Sequence, residues 1–269
     1  MTTNGNSSAY GDALADVYDQ LYPAAGPAVD TMVAFLEGLR PTPATLLELG
    51  VGTGRLAVPL ARHGYRVHGV DASAAMLEKL AENDTTGTVT STRGDFTHRV
   101  VDDRFDIVLI ALNTLFMLPT QEQQISCLRG VRDSLADGGV AVVETYDPMV
   151  YHQLTGPTSR FSHLAPDALL VDTVQVNRGL QSVLVVHTIL TPGGLRKVPE
   201  VSRYAWPAEF DLMARLAGLR VTGRWSDWER GEVTDHTDRH VVTLEAAADE
   251  PAADEPAADE PAAAPGARG

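Results

Sequence analysis

The segment Glu48-Leu49-Gly50-Val51-Gly52-Thr53-Gly54 sets three glycines at alternate positions, directly after the short apolar run Thr45-Leu46-Leu47-Glu48-Leu49. A run of that length ending in glycine suits a buried strand, and the stretch from about Thr53 to Arg62 reads as a helix broken at His63-Gly64. A glycine turn between such a strand and helix lets the backbone approach a ligand at the carboxyl end of the strand, because no Cβ stands in the way.

The same alternation continues. Arg66-Val67-His68-Gly69-Val70 reads as a second strand, stopped by Asp71. Ser73 is placed to cap a helix running to about Asn83, with Met76, Leu77 and Leu80 on one face. Thr88 to Thr92 is a weaker strand and Phe105 to Leu112 a stronger one. A helix from Gln121 to Leu135 is expected to end at the glycine stop Asp137-Gly138-Gly139, before a buried strand at Val140 to Val143. This order predicts an α/β fold, a mostly parallel sheet with right-handed crossovers and helices on both faces.

After Pro148 the pattern changes. Leu169 to Val176, Leu180 to Leu190 and Val198 to Tyr204 read as three antiparallel strands, the last two joined by Thr191-Pro192-Gly193-Gly194. A helix at Pro207 to Ala217 and strands near Arg220 to Trp228 and His240 to Leu244 close the body. From Ala248 to Ala262 the chain repeats Ala-Asp-Glu-Pro-Ala three times. Proline every fifth residue and the lack of apolar bulk predict a disordered acidic tail. The expected organisation is a lid segment at 1–26, a ligand-binding core at 27–148, an inserted antiparallel region at 149–206, the rest of the core at 207–247 and the tail at 248–269.

The net charge is −15, of which the tail carries −5. A body at −10 without a basic stripe disfavours nucleic acid as a partner. No apolar run approaches the ~20 residues of a membrane span, and Met1 to Ala9 lacks the basic-then-apolar order of a secretory signal, so a cytoplasmic protein without membrane partners is expected. The single cysteine, Cys127, reads as a small buried helix residue. No metal constellation stands out; Asp235-His236-Thr237-Asp238 and His240 read as a solvated loop before the last strand.

Asp71 lies 21 residues after Gly50, where a carboxylate can accept from both hydroxyls of a ribose. A nicotinamide dinucleotide fingerprint would need glycine at position 55, which is Arg55. The observed G-x-G-x-G spacing with Glu48 in front instead resembles the first motif of class I S-adenosylmethionine-dependent methyltransferases. Gly94-Asp95-Phe96 resembles that family's adenine-contacting step, Phe105-Asp106-Ile107-Val108 with Leu112-Asn113-Thr114 its fourth strand and the segment beside the methyl group, and Leu135-Ala136-Asp137-Gly138-Gly139 the turn before its fifth strand. The resemblance implies a Rossmann-like seven-stranded sheet with an N-terminal helical lid. It also implies S-adenosylmethionine as cofactor, held by Tyr18, Glu48, Gly50, Gly52, Gly54, Asp71, Ala72, Met76, Asp95, Phe96 and Leu112. Met76 suits the core equally well.

Tyr18 and Tyr22 are four apart and share a helical face. Tyr18-Asp19 resembles the lid element of small-molecule methyltransferases, which implies a tyrosine over the cofactor; an aromatic face also suits a sulfonium cation. The segment Glu144 to His152 falls where the fold places its acceptor, with Ser202 to Pro207 as a roof. Candidate acceptor contacts are Tyr22, Tyr146, Tyr151, Arg203 and Trp206. Candidate catalytic residues are Tyr18, Asn113 as a positioner and His152 as a base. Trp206, Trp225 and Trp228 suit either an aromatic acceptor or the core. The C-terminal stretch resembles actinobacterial small-molecule methyltransferases, so the expected partner is a small-molecule acceptor, with N- or C-methylation favoured over O-methylation and the enzyme a monomer or homodimer. The competing reading is a protein that holds S-adenosylmethionine without methylating.

Overall fold

Alternating side chains of the central strands feed two separate cores, and that division sets the layers. The computed structural model describes residues 6–22 and 27–248. The acidic-repeat reading concerns a segment that, from residue 249 on, lies outside the described residues, as do the lid positions 1–5 and 23–26. Strands β1 (Thr45–Leu49), β2 (Arg66–Asp71), β3 (Thr90–Arg93), β4 (Phe105–Ile110) and β5 (Leu135–Tyr146) run parallel. On β4, Ile107 and Leu109 face one core while Val108 and Ile110 face the other. The first core packs under helices α3 (Pro27–Glu37) and α4 (Ala57–His63), through residues such as Phe35 and Leu60. The second packs under α6 (Gln121–Ser134) and α8 (Pro207–Leu216), through Leu128 and Phe210. The sheet is completed by β10 (Leu219–Trp225) and β11 (Arg239–Ala246), with β11 antiparallel to both β5 and β10. The order is β10-β11-β5-β4-β1-β2-β3. This is the expected seven-stranded α/β sheet, and its chain reversal between β1 and β4 opens a crevice at the strands' carboxyl ends.

Four strands form a second, antiparallel sheet in the order β6-β7-β8-β9: β6 (Thr158–Ala165), β7 (Ala168–Asn177), β8 (Ser182–Thr191) and β9 (Gly194–Arg203). Three of them match the expected strands. The fourth, β6, is an edge strand that is exposed over most of its length, so it carries no apolar alternation to read. Helices α1 (Asn6–Leu14) and α2 (Tyr18–Leu21) form the lid, joined to this sheet and to α5 (Ala74–Asn83) by a third core that contains Leu14, Met76, Ile189 and Val198. A short helix α7 (Met149–His152) links the two sheets.

Two boundaries differ from expectation. Helix α4 starts at Ala57, not Thr53, because Gly54 sits at φ +80° in a turn whose amide bonds back to Val51. Helix α6 ends at Ser134, and β5 already begins at Leu135, so Gly138 (φ +71°) marks an irregular strand start and not a helix stop. Among the described residues no helix is long and apolar enough to cross a membrane.

Candidate active site

The crevice is built from the glycine turn and the end of β2. Asp71 Oδ2 accepts from the Gly52 amide at 2.9 Å and Oδ1 from the Ser73 amide at 2.8 Å. Burial raises the Asp71 pKa, and the backbone amides oppose that rise. Ser73 also caps α5 by accepting from Met76 N. Gly50, Gly52, Asp71, Ala72, Met76 and Phe96 line one cleft together with Tyr18. A Cβ built on Gly52 would meet no protein atom within 4 Å, so this glycine leaves open space at the cleft. The chemistry of this cradle, a carboxylate beside a bare backbone and apolar walls, fits a nucleoside with free ribose hydroxyls.

Four expected cofactor residues lie outside that lining, among them Leu112, which lines a second cavity instead. Gly54 serves packing: its Cβ would fall 2.2 Å from Leu80 Cδ1. Asp95 Oδ1 accepts from Thr97 N at 2.9 Å in its own turn. Glu48 is buried with Oε2 unpartnered, and burial pushes its pKa up to about 8, against the pull of the nearby Arg55 charge.

The lid closes over this cleft through two carboxylates, Asp19 of the expected lid element and Asp12, which the sequence did not single out. Asp12 Oδ1 accepts from Ser73 Oγ at 2.5 Å, and Asp19 accepts from Thr53 Oγ1 at 2.5 Å and Asn83 Nδ2 at 2.9 Å. Tyr10 and Tyr18 thereby stand at the boundary between the cleft and a second cavity. Tyr18 and Tyr22 pack with ring centroids 4.9 Å apart.

That second cavity measures about 280 Å³. It shares Tyr10, Tyr18, Thr114 and Met117 with the cleft. Tyr22, Leu112, Asn113, Tyr146 and Tyr151 form its near walls. Leu112 and Asn113 reach it because both adopt positive φ, +52° and +64°. The Asn113 carboxamide oxygen is already used, accepting from Tyr146 N at 2.5 Å. The far wall is the antiparallel sheet, which presents Asp172, His187, Glu200 and Ser202, with Arg160 beside them.

His187 was not singled out from the sequence, yet it is the centre of this wall. Its side chain is 5% exposed, with Nδ1 2.8 Å from Asp172 Oδ1 and Nε2 3.2 Å from Glu200 Oε2. Burial alone would lower its pKa, but the two carboxylates outweigh that and bring it to about 9. A signal was present: His187 falls in the buried phase of an alternating strand, Val183-Val185-His187-Ile189, where an apolar residue is the rule.

His152, Arg203 and Trp206 do not line the cavity. His152 Nε2 is 2.6 Å from the Tyr204 hydroxyl, and its ring packs edge-on against Trp206. Arg203 turns to Glu209 at 2.6 Å and to Gln124. Trp225 and Trp228 pack on Phe35 in the core, and Trp228 Nε1 donates to Glu144. Among the described residues no three His, Cys, Asp or Glu side chains gather as a metal site.

Comparison with known proteins agrees with this geometry. Residues 46–139 match the methyltransferase domain family. The chain is 32% identical over 240 residues to a cypemycin N-terminal methyltransferase from a Streptomyces species, covering 88% of this chain and 98% of the relative. Among solved structures it is similar to the CcbJ methyltransferase from Streptomyces caelestis, with TM-score 0.81 and 38% identity over 90% of this chain and 100% of that one. An S-adenosylmethionine-dependent methyltransferase from Clostridium acetobutylicum shares the fold, with TM-score 0.76 at 15% identity, covering 87% of this chain and 98% of that one. The glycine turn, the Asp71 cradle and these relatives together place the chain in the S-adenosylmethionine-dependent methyltransferase family, among the enzymes of natural-product type.

Proposed function

We propose that this enzyme methylates an amine nitrogen of a small molecule or short peptide. The carrying observation is the charge on the wall that faces the cofactor cleft across the shared tyrosines. Asp172 and Glu200 set two carboxylates there, with the His187 imidazolium and the Arg160 guanidinium as the cations beside them. A carboxylate on this wall can accept a charge-assisted hydrogen bond from a protonated amine. The rings of Tyr10, Tyr18 and Tyr22 suit cations as well, each worth about 0.5–2 kcal/mol.

Asp71 would hold the ribose, Gly50 and Gly52 would pass beneath the donor, and Met76 and Phe96 would flank the adenine. The bound S-adenosylmethionine supplies an already activated methyl group. The chain's own work is then to align the acceptor, shed its proton and exclude water. The lid contacts of Asp12 and Asp19 serve the last of these by holding Tyr10 and Tyr18 over the cleft. The cypemycin relative is named for an N-terminus, and an amine beside a carbonyl would also suit Arg160 next to the acidic wall.

The test is methyl transfer from labelled S-adenosylmethionine to a panel of primary and secondary amines, amino-terminal peptides, phenols and alcohols. Transfer to amines is expected. Turnover confined to phenols or alcohols would overturn the reading.

A further inference from the structure

We infer that Glu200 is the base that removes the proton from the acceptor nitrogen, with His187 and Asp172 as positioning residues that hold its carboxylate aimed into the cavity. This rests on the amine reading above and goes one step deeper into the same site.

The sheet register brings the three groups together. His187 on β8 pairs directly with Asp172 on β7, and Glu200 on β9 pairs with Val185, two residues from His187 and on the same face. Both ring nitrogens of His187 meet carboxylate oxygens, which can only accept when ionised. The ring must therefore donate from both sides, as an imidazolium. The charge-assisted hydrogen bond from His187 Nε2 holds the Glu200 side chain in place.

Glu200 also faces the chamber where the acceptor must sit. Its side chain is 19% exposed, that of Asp172 25% and that of His187 5%. The groups that face it come from every surrounding element: Tyr10 and Tyr22 from the lid, Tyr146 at the end of β5, Tyr151 on α7 and His187 on β8. Burial raises the pKa of all four tyrosines, and the nearby Glu200 charge adds to the rise. Asp172 flanks His187 on the other side and also lines the cavity, and Arg160 on β6 is the other cation near Tyr151. Tyr10 in turn borders the cofactor cleft. His152, the base expected from the sequence, has no such access.

The step balances simply. The acceptor ammonium gives one proton to the Glu200 carboxylate, which becomes a neutral acid. The freed lone pair forms the new N–C bond as the C–S bond breaks, and that bonding pair stays on sulfur as the neutral thioether. The methylated nitrogen carries the positive charge away, and Glu200 releases its proton to water before the next turnover.

The experiment compares wild type with Glu200→Gln and His187→Gln. With the panel amine turned over fastest, Glu200→Gln should lower kcat at neutral pH at least about a hundredfold, the usual scale of general base catalysis. The deficit should shrink as pH rises into the amine's own deprotonation range, and S-adenosylhomocysteine affinity by calorimetry should not change. His187→Gln should show a smaller loss with the same pH recovery. A readout independent of turnover is histidine NMR, with the His187 signal identified by its loss in His187→Gln. In wild type it should keep its proton past pH 8, and in Glu200→Gln it should titrate lower. Equal kcat loss at every pH, or a wild-type His187 titrating at the ordinary value, would overturn the base while leaving amine transfer intact. No transfer to any amine by wild type would overturn the amine reading and this base with it.

Discussion

The main-chain amide of Leu112 donates to Glu144 Oε2 at 2.9 Å, tying the positive-φ turn after β4 to the neighbouring strand β5. Glu144 Oε1 accepts at the same time from Trp228 Nε1 at 3.1 Å and from Arg239 at 3.2 Å. One buried carboxylate thus fixes the residues Leu112 and Asn113 that wall the second cavity.

Glu144→Ala should therefore cost stability as well as activity. It orphans two donors in the protein interior, each worth about 1–3 kcal/mol when left unmade. The Arg239 partner is half exposed and adds little. Chemical denaturation should show the loss in full, while Trp228→Phe, which removes one donor and leaves no orphan on the ring, should cost less. A denaturation midpoint that does not move in Glu144→Ala would show that the turn is held by something else.

Gly52 and Gly54 should separate binding from stability. Both have positive φ, so alanine at either costs about 1–2 kcal/mol in backbone strain. At Gly54 the new methyl also strikes Leu80, and overpacking adds about 1–3 kcal/mol. At Gly52 it meets no protein atom but enters the cleft. Melting curves should place Gly54→Ala below Gly52→Ala, and calorimetry with S-adenosylhomocysteine should show the larger affinity loss for Gly52→Ala. The reverse pattern would assign the wrong glycine to the ligand.

These positions also show what was legible beforehand. The turn at Gly50 to Gly54, the carboxylate ending β2 and the Ser73 cap could all be read because each is a local demand of backbone geometry on residue type. Strand β6 could not, since an exposed edge imposes no pattern on its side chains. The wall of Asp172, His187 and Glu200 was hidden for another reason. Its members are joined only by the register of three antiparallel strands, which no local spacing encodes. Arg203 and Trp206 show the converse error. They lie near the expected roof in sequence, but Arg203 finds a partner in Glu209 and Trp206 one in His152. Proximity along the chain did not set the direction of either side chain.

Asp71→Ala should weaken S-adenosylhomocysteine binding with the fold retained. Hydrogen bonds from a ribose to a charged acceptor are worth about 1.5–3 kcal/mol, so the affinity should fall about 10- to 150-fold. Asp71→Asn keeps one acceptor oxygen and should lose less. Because Gly52 N and Ser73 N also lose their acceptor, a modest fall in melting temperature should accompany the change. Unchanged affinity in the alanine variant would mean that Asp71 serves the glycine turn alone.

Glu48 should make the ligand-free protein less stable as pH rises. Its ordinary pKa is 4.5, and burial lifts it to about 8 in the folded chain. Between those values the folded state holds a proton that the unfolded state has released, so stability falls with increasing pH, by up to about 1.4 kcal/mol per unit. Below pH 4.5 both states are protonated and the effect vanishes; above pH 8 the full cost is present. Glu48→Gln keeps the shape and removes the titration. Its melting temperature without ligand should therefore overtake wild type progressively from pH 5 to pH 8. The Arg55 charge partly offsets the burial, so Arg55→Met should carry the loss of stability on to higher pH. Melting curves of wild type and Glu48→Gln that run parallel across this range would mean that Glu48 ionises in the fold as easily as in water.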